Sequence, residues 1–312
     1  MRVAKGTIPS MVVPAEVYVG PAGWSYEDWQ GIVYPYPKPP KFDPLVYLSR
    51  FFDMIEVNST FYRPPTRGIT ESWARRVREK DRFRFTVKVF KEFTHGEHST
   101  VSRSAVSRSD AAAFLDAMKP LYGEGRLGGL LFQFPYWFED VPANRDRLRR
   151  LADWFLGDRS PPPIPANVEI RHISWLKREP MTFLHELGFG FVNIDLPPSR
   201  TNPPPTAFAT SETGYVRLHG RNSEAWFNRT AGRDQKYDYR YGKEEVEEWI
   251  RRVKTLQGKT TVIYVVTNNH FRGQAPANAL EIMARLADRK VPLPRALAGA
   301  YPDLLEEGEI ED

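Results

Sequence analysis

Polar residues of opposite charge recur at the ends of short apolar runs in this chain. Glu56 and Asn58 lie at the end of one run, Glu169 and Arg171 at the end of another, and a spacing of two puts each pair on one face of an extended strand. Lys88, Gln133, the pair Asn193 and Asp195, the pair Arg217 and His219, and Asn268-Asn269-His270 hold the same place in five further runs. Facing inward together they would bring three carboxylates (Glu56, Glu169, Asp195), Lys88, Arg171, Arg217 and His219 to one mouth. Such residues are rarely buried unless paired, so the group must be ion-paired, wet or ligand-bound.

Three chemistries fit these residue types. In metal-assisted attack on a phosphoester, Glu56, Glu169, Asp195 and His219 are oxygen and imidazole ligands suited to a divalent metal such as Mg²⁺, Mn²⁺ or Zn²⁺. Glu169 or Glu56 would be general base or ligand, Asp195 and His219 would complete the set or move protons, and Lys88, Arg171 and Arg217 would neutralise developing negative charge. Gly220-Arg221-Asn222 and Arg272-Gly273-Gln274 then stand where barrels commonly bind phosphate. On this reading Glu169→Gln abolishes turnover and leaves the fold intact. With six histidines and no dense His/Asp set, a multinuclear zinc site is not expected.

The second chemistry is glycoside hydrolysis, with Trp24, Tyr26, Trp29, Phe61, Tyr62, Tyr136, Trp137 and Trp175 offering flat faces to sugar rings. Hydrolysis needs two suitably spaced carboxylates. Many barrel glycosidases carry them after the fourth and seventh strands, where this chain has Gln133 and His219. The third is binding without turnover, in which aromatics interleaved with Arg63, Arg67, Arg103 and Arg108 stack bases and hold a nucleic-acid backbone. Across these readings the ligand is an anionic small molecule or a nucleic acid, with Trp24, Tyr26, Asn58, Tyr62, Arg63, Gln133, Asn268 and Asn269 as substrate-binding candidates. His95-Gly-Glu-His98 reads as loop histidines, and Ser25 with Asp28 as a capping box. Neither a Gly-x-Gly-x-x-Gly nor a Walker loop occurs.

The elements that must position these groups alternate in type. Eight strand-like runs are Val17–Gly20, Met54–Val57, Phe83–Val89, Gly129–Phe134, Asn167–Arg171, Gly190–Ile194, Tyr215–His219 and Thr261–Val266. Helical periodicity marks 44–52, 70–80, 110–121 with Asp110 as N-cap, 145–155, 181–187, 243–256 and 276–287. Helical crossovers imply parallel strands, and eight units predict an α/β fold: a single-domain (β/α)₈ TIM-like barrel. After the sixth strand, Leu196-Pro-Pro-Ser-Arg-Thr-Asn-Pro-Pro-Pro-Thr forbids a helix and predicts a Pro-rich loop. Pro161-Pro162-Pro163 reads as a stiff linker. The expected division is a loose segment over 1–15, a barrel over 16–302 and an acidic tail over 303–312 that also reads as a loose end.

Composition narrows the classes. A chain of 312 residues with 41% hydrophobic and 13% aromatic residues can build a large core and is not wholly disordered. Cysteine is absent, which excludes disulfides, thiolate nucleophiles and Cys-ligated zinc. No run approaches the roughly 18 apolar residues that cross a bilayer, and no secretory signal is visible, so the expected setting is the cytoplasm without a membrane partner. The net charge of +5 is five units more positive without the acidic residues of 306–312, which favours polyanions weakly.

Five segments carry a family resemblance. Gly23-Trp-Ser-Tyr26, Glu56-Val-Asn-Ser-Thr-Phe-Tyr-Arg63, Leu131-Phe-Gln-Phe-Pro135, Val168-Glu-Ile-Arg-His-Ile-Ser-Trp175 and Tyr215-Val-Arg-Leu-His-Gly220 resemble the domain-of-unknown-function 72 family, also called YecE-like. The resemblance spans about residues 17–290. It implies a TIM-like barrel and assigns no activity.

Overall fold

In the computed structural model, which describes residues 14–96, 106–157 and 164–311, eight parallel strands alternate with helices. The strands are β1 (Glu16–Pro21), β2 (Met54–Val57), β3 (Arg84–Lys88), β4 (Leu127–Gln133), β5 (Ala166–Glu169), β6 (Phe189–Asp195), β7 (Thr213–Leu218) and β8 (Val262–Thr267). All eight fall on the expected runs. Hydrogen-bonded neighbours follow the order β1-β8-β7-β6-β5-β4-β3-β2, so seven seams are ladders. At the last seam a single bridge joins Ala22 to Glu56, and the Gly23 N–H donates to the Glu56 carbonyl at 2.8 Å. There β1 presses hard on β2: a Cβ on Gly20 would lie 1.9 Å from the Met54 carbonyl oxygen.

Helices α1 (Pro44–Leu48), α2 (Arg67–Arg76), α3 (Lys91–His95), α4 (Arg108–Gly123), α5 (Pro142–Leu156) and α6 (Arg178–Glu186) surround the first six strands. Two short helices, α7 (Ser223–Phe227) and α8 (Arg233–Lys236), precede α9 (Lys243–Gln257); α10 (Gln274–Ala287) and α11 (Arg295–Ala300) follow β8. The main core lies between strands and helices, where Val87, Phe132, Val168, Phe191 and Val265 meet helical residues such as Phe114, Phe155 and Trp249. A smaller apolar cluster of Tyr18, Met54, Leu131, Val192, Ile194, Tyr215, Tyr264 and Val266 fills the barrel itself. Period-two alternation from these inward residues decides which polar side chains enter the barrel.

Two expectations need adjustment. The cap of α4 is Ser107, and Asp110 is the third helical residue of a capping box whose carboxylate accepts from the Ser107 N–H at 2.8 Å. The acidic end is not loose: Gly308–Glu311 forms β10 beside β9 (Val291–Pro294), Leu304 is buried, and Glu307 pairs with Arg285 at 3.0 Å. Backbone pairing and opposite charge hold what composition alone suggested would be free. The segment 196–212 carries no helix, as its prolines require, and Asn193 pins it instead. Asn193 Nδ2 donates to the Phe208 carbonyl at 2.9 Å, while its Oδ1 accepts from the Phe208 N–H at 2.8 Å. The loose segment expected at 1–15 (all but Pro14 and Ala15), the prolines at 161–163, His98 and Arg103 lie outside the described residues.

Candidate active site at the barrel mouth

Tyr215, Arg217 and His219 stand two apart at the inner face of β7, and the charged lattice grows from the middle one. Arg217 grips Glu56 with two parallel hydrogen bonds, Nε to Oε2 at 2.9 Å and Nη2 to Oε1 at 2.6 Å, and its Nη1 donates to Glu169. One guanidinium thus ties β2 to β5 across the barrel, with all three residues essentially excluded from water. Tyr215 Oη adds 2.9 Å to Glu56 Oε2 and 2.8 Å to Thr86 Oγ1. Glu169 also accepts from Arg171 Nε at 2.7 Å and lies 3.2 Å from His219 Nε2.

The protonation states follow from these contacts. Burial alone would raise the Glu169 pKa, but Arg217, Arg171 and His219 overcome it and hold the carboxyl well below its usual range. Burial pushes His219 down to about 3, against the pull of Glu169, so its ring is neutral at physiological pH. A neutral tautomer with the proton on Nε2 donates to Glu169 and leaves Nδ1 to accept from Asn268 Nδ2 at 3.0 Å.

Lys88 is the exception to the pairing. Its Nζ donates to Gln133 Oε1 at 2.6 Å and sits 3.7 Å from the centroid of the Phe61 ring, with no carboxylate partner among the described residues. Burial is the main force lowering its pKa to about 7, with Arg217 and Arg171 adding to it and Glu169 and Glu56 opposing. Arg171 is similarly underused: Nε holds Glu169, and its two Nη atoms have no protein acceptor among the described residues.

Aromatic rings frame the opening. Tyr26 stacks on His270 with centroids 4.6 Å apart, and the Tyr237 ring lies 5.1 Å from His270. Trp226 and Tyr237, from the segment that carries α7 and α8, each lie 6.4 Å from His219, and Arg171 is 5.9 Å from the Trp226 ring. Tyr62 is exposed at the rim beside Phe61 and Arg63.

Residues 18–299 match the family model described as "Protein of unknown function DUF72". The chain belongs to this family. It is 28% identical to the UPF0759 protein YunF of Bacillus subtilis (strain 168) over 86% of this chain and 94% of that one. A solved DUF72 family protein from Thermotoga maritima MSB8 is 31% identical, with a TM-score of 0.72 over 87% of this chain and 99% of the other. Another, from Enterococcus faecalis V583, is 26% identical, with a TM-score of 0.74 over 87% and 95%. These likenesses support the TIM-barrel architecture and carry no assigned reaction.

Within this DUF72 barrel, Glu56, Lys88, Gln133, Glu169, Arg171, Arg217, His219 and Asn268 converge at the mouth, and Asn58 stands just beyond β2 with its Oδ1 buried and unpartnered. Asp195 does not join them. Val192 and Ile194 take the inner face of β6, so Asp195 and Asn193 point to the helix layer. There Asp195 binds Arg221 at 2.8 Å and Trp249 Nε1 at 2.6 Å. Asn269 likewise turns outward, donating to the Tyr239 carbonyl at 2.7 Å. Trp24 packs edge-on against Trp73 at 5.7 Å, away from the mouth, while Trp29 and Trp175 are fully buried.

The proposed phosphate loops are already occupied. Arg221 is held by Asp195, Glu245 and Glu248, and the Arg272 N–H donates to Asp28. That bond also removes Asp28 from the expected capping box with Ser25. The donors do not suit a divalent metal either: Glu56 is already engaged by Arg217 and Tyr215, and Glu169 by two arginines and His219. Among the described residues no three His, Asp or Glu side chains converge on one point that could hold an ion. Tyr215 and Thr86 were missed as site members, although the two-residue spacing to Arg217 marks Tyr215. Trp226 and Tyr237 carry no such signal. No helix among the described residues is long and apolar enough to cross a membrane.

Proposed function

We propose that the mouth is the active site of an enzyme for a small anionic substrate bearing a carboxylate or phosphate. The observation that carries this reading is a surplus of directed positive charge. Glu56 and Glu169 are neutralised by Arg217 and the Nε side of Arg171, which leaves the outer fork of Arg171 and the ammonium of Lys88 for an incoming oxyanion. A planar guanidinium whose other edge is fixed by a carboxylate is a preorganised bidentate anion site. Lys88, with a pKa near 7, suits a group that gives or takes a proton during turnover.

The carboxylates hold the arginines; they do not act as bases. A carboxyl held as low as Glu169 is a weak base and cannot be the protonated acid that glycoside hydrolysis needs. A nucleic-acid surface is less well supported, since Arg67 pairs with Glu71 at 3.2 Å and Arg108 pairs with Asp153. We place the activity in the cytoplasm.

Thermal melting with added inorganic phosphate, pyruvate or dihydroxyacetone phosphate tests the reading. At a hundredfold excess over Kd a specific anion should raise the Tm of a chain this size by about 4 °C. Arg171→Ala, which leaves Glu169 bound to Arg217 and His219, should abolish that rise. An equal rise in the variant, or no rise with any anion in the native chain, would refute it.

A further inference from the structure

We infer that Lys88 is a covalent residue whose amine condenses with the carbonyl carbon of an anionic aldehyde, ketone or 2-oxo acid held by Arg171. The inference rests on the anion-site reading above and names its substrate class. Four features of the geometry lead to it. The amine rises from a barrel strand and not from a loop, and Thr60 Oγ1 donates to the Lys88 carbonyl at 2.5 Å, fixing the end of β3. Its only polar partner among the described residues is the neutral Gln133 amide oxygen at 2.6 Å. A lysine kept for ion pairing would face Glu56 or Glu169, yet both of those carboxylates are spent on Arg217. The free guanidinium fork of Arg171 stands just beyond β5, and β4, which carries Gln133, is the single strand between β5 and β3.

The condensation balances without a further reagent. Neutral Lys88 Nζ attacks the carbonyl carbon and a C–N bond forms as the C=O π pair moves to oxygen. The proton released by nitrogen and one from solvent pass to that oxygen, which leaves as water, and the product is a protonated imine. Its N–H keeps the bond to Gln133 Oε1, and its positive charge keeps the Phe61 ring beneath it. The site therefore gains one positive charge in the step, carried in by the solvent proton, and ends with the charge that a protonated Lys88 would have had. That cation is an electron sink for reactions at the neighbouring carbon.

The electrostatic surroundings favour a nucleophilic amine. Arg217 from β7 and Arg171 beyond β5 disfavour the ammonium and Glu169 and Glu56 favour it, but burial is the largest influence, giving a pKa of about 7. His95 on α3, which lies in the field of Lys88, is itself pushed down to about 4, chiefly by burial, and so adds no cation. At pH 7 about half of such an amine is neutral, against about one in 2,500 for an ordinary lysine.

The experiment is reductive trapping. Native chain at pH 7 is mixed with pyruvate or with dihydroxyacetone phosphate, reduced with cyanoborohydride, and mapped by peptide mass spectrometry. The expected result is a single adduct on Lys88, at least about tenfold above any other lysine, with one of the two carbonyl compounds preferred and so indicating a carboxylate or a phosphate. The rate should level off near pH 7. Lys88→Arg, which keeps a cation but cannot form the imine, should lose the adduct. Adducts spread evenly over surface lysines, or none at Lys88 while phosphate still raises the Tm through Arg171, would overturn the covalent role and leave the anion site standing. Loss of stabilisation by every anion would instead overturn the underlying reading, and this inference with it.

Discussion

Glu169→Gln exposes the lattice to a direct test. Glu169 is fully buried and receives hydrogen bonds from Arg217, Arg171 and His219. A glutamine keeps the shape, but its amide turns one donor toward those donors and leaves two guanidinium groups without their shared counter-charge. Removing one partner of a buried ion pair costs about 3–5 kcal/mol. For a chain of 312 residues the unfolding entropy is about 0.65 kcal/mol/K, so the Tm should fall by about 5–8 °C. The loss is therefore structural as well as functional, contrary to the expectation of an intact fold. The pH dependence gives a second handle. The folded carboxyl titrates below its ordinary value of 4.5, so its contribution is complete above that value and is lost as pH falls through the folded pKa. Melting curves from pH 8 down to 3 should show a constant gap between the native chain and the variant above about pH 5.5, then a narrowing one. A gap under about 1 °C at pH 7 would refute the buried-pair account, and so would a gap that widens in acid.

Lys88→Met should change the alkaline limb of the same curve. The folded amine binds its last proton near pH 7 and the unfolded one near 10.5, so the unfolded state holds more protons between those values. Native stability should therefore rise with pH across that window, and the variant should lack the rise; parallel curves would contradict the burial of the amine. Gly20→Ala should cost at least the about 1–3 kcal/mol typical of overpacking, because the new Cβ would fall 1.9 Å from backbone oxygen of Met54. Gly68→Ala in α2, where a Cβ meets nothing within 4 Å, should be neutral or stabilising by about 0.5–1 kcal/mol, and calorimetry that ranked the two the other way would refute the close seam.

Why the fold could be read and part of the site could not comes down to side-chain parity. Helical periodicity between apolar runs is a strong signal, and all eight strands lie where it places them. In a parallel barrel, however, both faces of a strand are buried, so composition does not say which face is inner. In Phe191-Val-Asn-Ile-Asp195 both alternations are partly apolar, and the one bearing Asn193 and Asp195 turns out to face the helices. In β7 the reading succeeded because Tyr215, Arg217 and His219 share one alternation. Trp24 was misplaced for a related reason: beyond the strand end the chain turns at Gly23, whose φ is +79°, and the strand rule no longer applies. The rim contributed by Trp226 and Tyr237 depends on the path of a long segment between β7 and α9, which no local pattern encodes.

The arrangement also answers why a barrel would bury two carboxylates and an arginine together at its mouth. Burying the ions is costly, and a hydrophobic replacement of similar volume is often as stable. What the lattice supplies is direction. Arg217 cannot move without breaking its grip on Glu56 and Glu169, and Glu169 in turn holds Arg171 by Nε, which aims the free Nη edge away from the carboxylate. His219, neutral and fixed by Asn268, closes the remaining side of Glu169 without adding charge. Three strands thus hold one guanidinium edge in a fixed orientation, and the nearby amine of Lys88 has no carboxylate partner among the described residues. A purely structural network would be expected to use all of its own donors; among the described residues this one leaves the Nη edge of Arg171 without an acceptor and the amine of Lys88 without a carboxylate.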